Sequence, residues 1–244
     1  MVLLTIGYST LADRAENIVY PRQPDWEYQL HVQGEKVPTN KPNTFYLDSS
    51  GVAKSRNSAI IHANGKYLLF GDDDVVFDEA EITKALDYLE QHPEISLLLA
   101  SAVDEAGQLR KSYPTATTKL SRMNSARAAT YEMIIRVDEI KKLNIRFDEE
   151  FGAGAKNYLG DEYIFIADLI KAGGNAVFAP IPIAMHPANS SGSRWGETAD
   201  RIARAKIFDR VFGKLAPAVR LAFGLRRAAE LGGLANVLRF TFSR

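Results

Sequence analysis

The chain has 244 residues, 46% of them hydrophobic, enough to bury a full core in one domain with a C-terminal appendage. It contains no cysteine, which excludes disulfides and thiolate metal sites and is compatible with a reducing cytoplasm. The formal net charge is zero, so nucleic-acid binding has no global electrostatic support, and no apolar stretch approaches the length of a membrane span.

Residues 1–8 read as a first strand; the apolar start is too short, and lacks the basic flank, for a signal peptide. Pro21 and Pro24 interrupt the connection to a second strand over 28–33, and Phe45-Tyr46-Leu47 reads as a short third. A small-residue helix begins after Gly51 and closes at Asn64-Gly65, with Gly65 expected as its left-handed cap. Four-residue spacing puts Arg56 between Val52 and Ile60 on the inward stripe, where a guanidinium needs an anion. A phosphate or one of the following carboxylates would serve equally well.

The strand Lys66-Tyr67-Leu68-Leu69-Phe70-Gly71 then ends in Asp72, Asp73 and Asp74. Three adjacent acids repel one another and weaken any strand they join, so a cation or strong donors should compensate them. In an open α/β sheet the strand ends form the ligand crevice, where a divalent metal bridges carboxylates to phosphates. The plain alternative is an acidic turn, yet the capping of the next helix, over 79–92, is accounted for by Asp78 with Glu81. A buried strand over 95–103 follows, then a polar stretch from 104 to 129 without periodicity, read as a long active-site loop.

Phe147-Asp148-Glu149-Glu150-Phe151-Gly152 leads through Gly160 to Asp161 and Glu162 at the start of a helix over 163–172. Carboxylates there are stabilised by the positive helix end, so both are expected to be ionised at neutral pH and able to act as a base. Two late strands, 176–179 and 181–185, deliver His186 to a loop that continues through Ser190 to Arg194, which could face phosphate. One imidazole among carboxylates fits manganese or magnesium better than zinc, although a lone histidine is more often structural. Tyr8 and Ser9, ending the first strand, are expected near the nucleotide by the same strand-end rule.

The glycine, the Arg56-Asn57 helix, the Gly-Lys-Tyr-Leu-Leu-Phe strand and the Asp triplet together resemble the nucleotide-sugar half of family 2 glycosyltransferases. The resemblance implies a GT-A-like α/β fold, a Rossmann-type mixed sheet flanked by helices, over 1–193. It implies inverting transfer from a nucleotide-diphosphate sugar, a UDP-sugar above others, to a hydroxyl on a glycan or lipid-linked acceptor, in surface polysaccharide or glycolipid assembly. Asp72, Asp73, Arg56, Tyr8 and Ser9 would then hold the donor, and Asp74, Asp72 and His186 would hold Mn2+ or Mg2+. The family's Gly-Glu-Asp stands here as Gly160-Asp161-Glu162, so the base is open between the two acids, Asp161 being favoured narrowly as nearer the glycine turn. The carboxylate that usually follows the second strand and holds the base is replaced by Gln33-Gly34-Glu35.

Residues 194–244 carry eleven basic against four acidic residues, a balance of +7 that leaves −7 for the rest. Phe208, Phe212, Phe223 and Phe240 recur there at helical spacing, giving an amphipathic helical tail. It suits an anionic membrane surface, with the protein peripheral on the cytoplasmic face, but the same stripe could pack on the catalytic domain or a second subunit. Competing functions are a sugar-nucleotide nucleotidyltransferase, for which the first loop lacks a glycine-rich basic stretch, and a non-catalytic glycan-binding or scaffold protein. An aspartyl-phosphate phosphatase is disfavoured because the triplet follows a complete βα stretch.

Overall fold

The computed structural model describes residues 2–34, 39–187 and 197–242. In chain order the sheet strands are β1 (Leu4–Leu11), β2 (Trp26–Gln33), β3 (Thr44–Leu47), β4 (Tyr67–Asp72), β5 (Val76–Phe77), β6 (Leu97–Val103), β7 (Thr118–Lys119), β8 (Met133–Arg136) and β9 (Ala176–Met185). The helices are α1 (Val52–His62), α2 (Glu79–Gln91), α3 (Val137–Lys142), α4 (Asp161–Lys171), α5 (Thr198–Phe212), α6 (Ala216–Arg226) and α7 (Leu234–Phe242).

One mixed sheet runs in the order β3-β2-β1-β4-β8-β6-β9-β5, with β7 paired to β9. β1 to β4 pair in parallel, and β8 lies antiparallel to both β4 and β6. The pleat sorts side chains between the faces. Tyr67 and Leu69 of β4 join Ile6, Leu30 and Leu98 beneath Ile82, Leu86 and Leu89 of α2. Their neighbours Leu68 and Phe70 turn to the other face, under Ala59 and Ile60 of α1 and Phe165, Ile166 and Leu169 of α4. Phe165 stacks on Phe147, and both meet Phe70 edge-on, so this second layer fixes the segment ahead of α4. The α/β architecture with its helical C-terminus is the fold expected from the sequence.

Several local expectations change. Gly65 is not a left-handed cap: the C-cap of α1 is Ala63, and a Cβ on Gly65 would lie 2.6 Å from the Thr5 amide, so close backbone approach requires glycine there. The late strands are a single β9, and the 104–129 stretch contains β7. Asp78 caps α2 as expected, accepting from the amides of Ala80 and Glu81 at 2.9 and 3.0 Å.

Phe208, Phe212, Phe223 and Phe240 do not form an outward stripe. Phe208, Phe223 and Phe240 pack on one another with Ala216, Leu231 and Val237 in a small core of their own. α5 also docks on the sheet domain: Ile207 packs with Phe151, Tyr163 and Ile164, and Arg210 pairs with Asp148 and Asp168 at 2.7 Å each.

Candidate functional site

The site lies where β1 and β4 end side by side, Ser9 in register with Asp72. The three aspartates diverge from there. Asp73 turns back toward β1, accepting a hydrogen bond from Thr10 Oγ1 at 2.9 Å and pairing with Arg14 at 3.5 Å. Asp72 faces α1 and takes Arg56 Nη2 at 3.2 Å. Asp74, whose side chain is 54% exposed, projects toward His186.

Arg56 is the joint of the site. It is buried, as its place on the inward stripe predicts, and it ion-pairs with Asp72 through Nη2 and with Asp161 through Nη1. One guanidinium therefore ties the strand-end acids to those opening α4, and Phe147 lies beneath it at 5.7 Å. Next to it, Asn57 clamps the Phe147 backbone, donating to its carbonyl at 3.0 Å and accepting from its amide at 2.8 Å. Asn57 also donates to Glu149 at 3.0 Å.

Gly152 is the glycine that the Asp161 pairing demands. Its φ is +96°, and a Cβ would lie 2.7 Å from the Asp161 carboxyl carbon. Asp161 is thus enclosed, whereas Glu162 retains partial exposure. Loss of hydration, and then the adjoining Asp161 carboxylate that hydrogen-bonds to it, push the Glu162 carboxyl well above the usual range. For Glu162, then, position at the helix start is not the dominant influence: desolvation opposes the helix-end field, worth only about 0.3–1 kcal/mol in exposed settings. Burial likewise raises Asp72, with Arg56 opposing and Asp74 adding to the rise.

His186 follows β9 and is held from three sides: its amide donates to Val103 at 3.0 Å, its ring stacks on Tyr131 at 4.9 Å, and Nδ1 meets the Pro187 carbonyl at 2.9 Å. A carbonyl only accepts, so Nδ1 carries the proton and Nε2 is left facing Asp74 at 3.5 Å. Nε2 and the Asp74 carboxylate are two groups that could together hold a divalent cation. Among the described residues no three such side chains converge, since Asp72 is turned to Arg56.

Tyr8 is 1% exposed, its ring in the core against Tyr20 and Phe77, so it is not brought to the crevice. Ser9 is buried at the strand end. Gln33 accepts from the Gly51 amide at 2.7 Å and so braces the start of α1, while Glu35 and the Ser190–Arg194 loop lie outside the described residues. Sequence reasoning missed Tyr131, whose ring stacks on His186. It also missed the Thr10 and Arg14 partners of Asp73, and the only signal for Asn57 was its place next to Arg56.

Residues 36–147 match the family model for glycosyl transferase family 2. No curated protein sequence matches the chain. Among solved structures, S. aureus TarS residues 1–349 superposes with a TM-score of 0.59 at 16% identity, covering 99% of this chain and 73% of that one. The same protein in complex with UDP-GlcNAc gives 0.56 at 15%, covering 98% and 81%. A mannosyltransferase from Pyrobaculum calidifontis, in complex with GDP-Man and Mn2+, gives 0.54 at 17%, covering 98% and 72%. A longer TarS structure is spanned to 44% of its length. Residues 36–147, a little under half of the chain, are thus similar to glycosyl transferase family 2, and the chain as a whole has the GT-A-like α/β fold of these structures.

Proposed function

We propose that the chain transfers a sugar from a nucleoside-diphosphate sugar to an acceptor hydroxyl with inversion. The observation that carries the reading is the Arg56 bridge, which sets a crevice of strand-end acids for the donor beside an acid pair for the acceptor. Asp74 and His186 would hold Mn2+ or Mg2+, whose chemistry is to neutralise the departing diphosphate. The similar structures that bind UDP-GlcNAc and GDP-Man with Mn2+ support a donor of this class.

The acceptor oxygen attacks the anomeric carbon, the bond to the diphosphate breaks with its electrons going to phosphate, and the acceptor proton passes to a carboxylate. We assign that carboxylate to Glu162 rather than Asp161. Asp161 is committed to Arg56 and covered by Gly152, whereas Glu162 is the more open and burial pushes its carboxyl up, which favours proton uptake. Asp161 then acts as a positioning residue.

The test is release of nucleoside diphosphate from a panel of UDP- and GDP-sugars with and without Mn2+. Turnover that requires the cation, and that is lost in Asp74→Ala and Glu162→Gln while both variants keep their melting temperature, supports the reading. Binding of donor without turnover for every acceptor class offered would instead favour a non-catalytic protein on this fold.

A further inference from the structure

Phe208 and Phe240 are buried and Phe212 and Phe223 partly so, and this packing leaves another surface. Phe223 of α6 and Phe240 of α7 both turn to Phe208 of α5, at centroid distances of 5.0 and 5.6 Å. Gly224 lets the two helices close on each other, since a Cβ there would lie 3.0 Å from Val237 Cγ1. At 3.6 residues per turn, Leu221 and Leu225 lie opposite Phe223, and Leu234, Leu238 and Phe242 lie opposite Phe240. The faces that point away from α5 are therefore presented together.

Those faces are apolar throughout. Every exposed residue of α6 and α7 is Pro, Ala, Leu or Phe, save Arg226 and Arg239 at the edges. Leu225, Leu234, Leu238 and Phe242 are 54%, 66%, 55% and 72% exposed, and Leu215 just before α6 is 65% exposed. An ordinary surface helix places charged and polar residues on its outer side, so an outer side of this composition marks a contact surface.

The charge pattern selects the partner. Neither α6 nor α7 contains an acid, and between Arg210 and Phe242 the one acidic residue, Glu230, is engaged by Arg227. A second copy apposed on this face would bring arginine edges together with no carboxylate to offset them. We propose that the outer faces of α6 and α7 form a docking surface for an anionic lipid bilayer. Leucines and Phe242 enter the acyl boundary, and Arg226 and Arg239 stay among the headgroup phosphates. Membrane contact of this kind would place the chain on a leaflet next to a lipid-linked acceptor. Only that consequence rests on the glycosyltransferase reading.

The experiment is flotation of the full chain with phosphatidylcholine vesicles and with vesicles that also contain phosphatidylglycerol. The protein should float with the anionic vesicles and not the neutral ones, and high salt should weaken the association. The Leu234→Ser, Leu238→Ser, Phe242→Ser triple variant should bind roughly tenfold more weakly or worse while keeping its melting temperature, because these side chains make no core. Should that variant unfold, Arg226→Gln with Arg239→Gln carries the same test through a reduced salt dependence. No flotation of the full chain on anionic vesicles, or flotation unchanged in these variants, overturns the proposal. So does a dimer in sedimentation that the triple variant dissolves, since the face would then be covered by a second copy. Nucleoside-diphosphate release from a soluble donor reports on the catalytic site independently of either result.

Discussion

Arg56 and Asp161, 105 residues apart in the chain, form a buried ion pair that Asp72 completes on the other side of the guanidinium. Charges removed from water are costly unless paired, so loss of the cation leaves two desolvated carboxylates facing each other. Arg56→Ala is expected to destabilise the fold by about 3–5 kcal/mol in urea unfolding, and Arg56→Lys by less, with donor affinity falling in both. If Arg56 served the substrate alone, stability would stay within experimental error while affinity fell.

Glu162 gives a pH signature. Desolvation and then the Asp161 carboxylate raise its pKa in the folded protein, so the native state holds a proton that the unfolded chain has released. Its contribution to stability is present below the unfolded value and is lost as pH rises through the folded one. The same rise frees the base, so kcat/KM should climb on a limb above the ordinary carboxylate range. Glu162→Gln should abolish transfer, and its stability relative to the parent chain should grow with pH. A parent rate already flat from pH 5 upward would remove Glu162 from the base role.

His31 acts in the opposite direction. It is 0% exposed on β2, hydrogen-bonded to Ser58 at 2.9 Å and stacked on Phe45, and burial, with His62 nearby, pushes its pKa down to about 3. The unfolded chain takes up the proton first, so stability falls as pH drops from near 6.5 toward 3, by at most about 1.4 kcal/mol per pH unit. Urea unfolding at pH 7 and pH 5 reads the slope, and His31→Gln should flatten it.

The parts of this site legible in the sequence were those whose signal is local. An apolar strand that stops at three acids, or a guanidinium at an inward helical position, breaks a pattern within a few residues, and Asp72 and Arg56 were found that way. β8 was not foreseen because four residues between a polar stretch and a short helix carry no periodicity. The stacking of Tyr131 on His186 depends on two distant strand ends meeting, which no spacing encodes. In the tail, the recurrence of Phe208, Phe223 and Phe240 identified an apolar face but not its cover. Three helices that each expose such a face can bury it on one another, and they do.

Asp74 and His186 should act as a unit. With Nδ1 tied to Pro187, His186 offers Nε2 beside the Asp74 carboxylate. Asp74→Asn and His186→Ala are each expected to lower Mn2+-dependent nucleoside-diphosphate affinity tenfold or more, roughly the loss of one ligand, with little change in melting temperature. Asp73→Asn should behave differently, because its partners are Thr10 and Arg14, and affinity should fall far less. Calorimetric titration of UDP and GDP with and without Mn2+ separates the three. Equal losses at all three positions would mean the triplet binds through its summed charge rather than through Asp74.

α5 packs directly on the segments around the Asp161–Glu162 pair even though it lies in the basic tail. Gly160, the residue before Asp161, sits at φ +89° against Ile207, and a Cβ there would collide with that side chain. Ile207 covers Phe151, Tyr163 and Ile164, and Arg210 spans Asp148 ahead of the acid pair and Asp168 on α4. Truncation after Ser193 removes this cover and leaves a large apolar surface in water, so the remaining domain should be poorly soluble or should melt much lower. Ending the chain after Phe212 keeps the Ile207 and Arg210 contacts and loses only α6, α7 and the turn before them. The longer fragment should retain donor binding, though Phe208 and Phe212 become exposed. In the full chain, Ile207→Ala should cost about 2–5 kcal/mol and lower kcat more than donor affinity, because the helix start that aims Glu162 loses its backing. A fragment ending at Ser193 that melts and binds donor like the full chain would show that α5 is an accessory, and the acid pair would then owe its position to Arg56 and Gly152 alone.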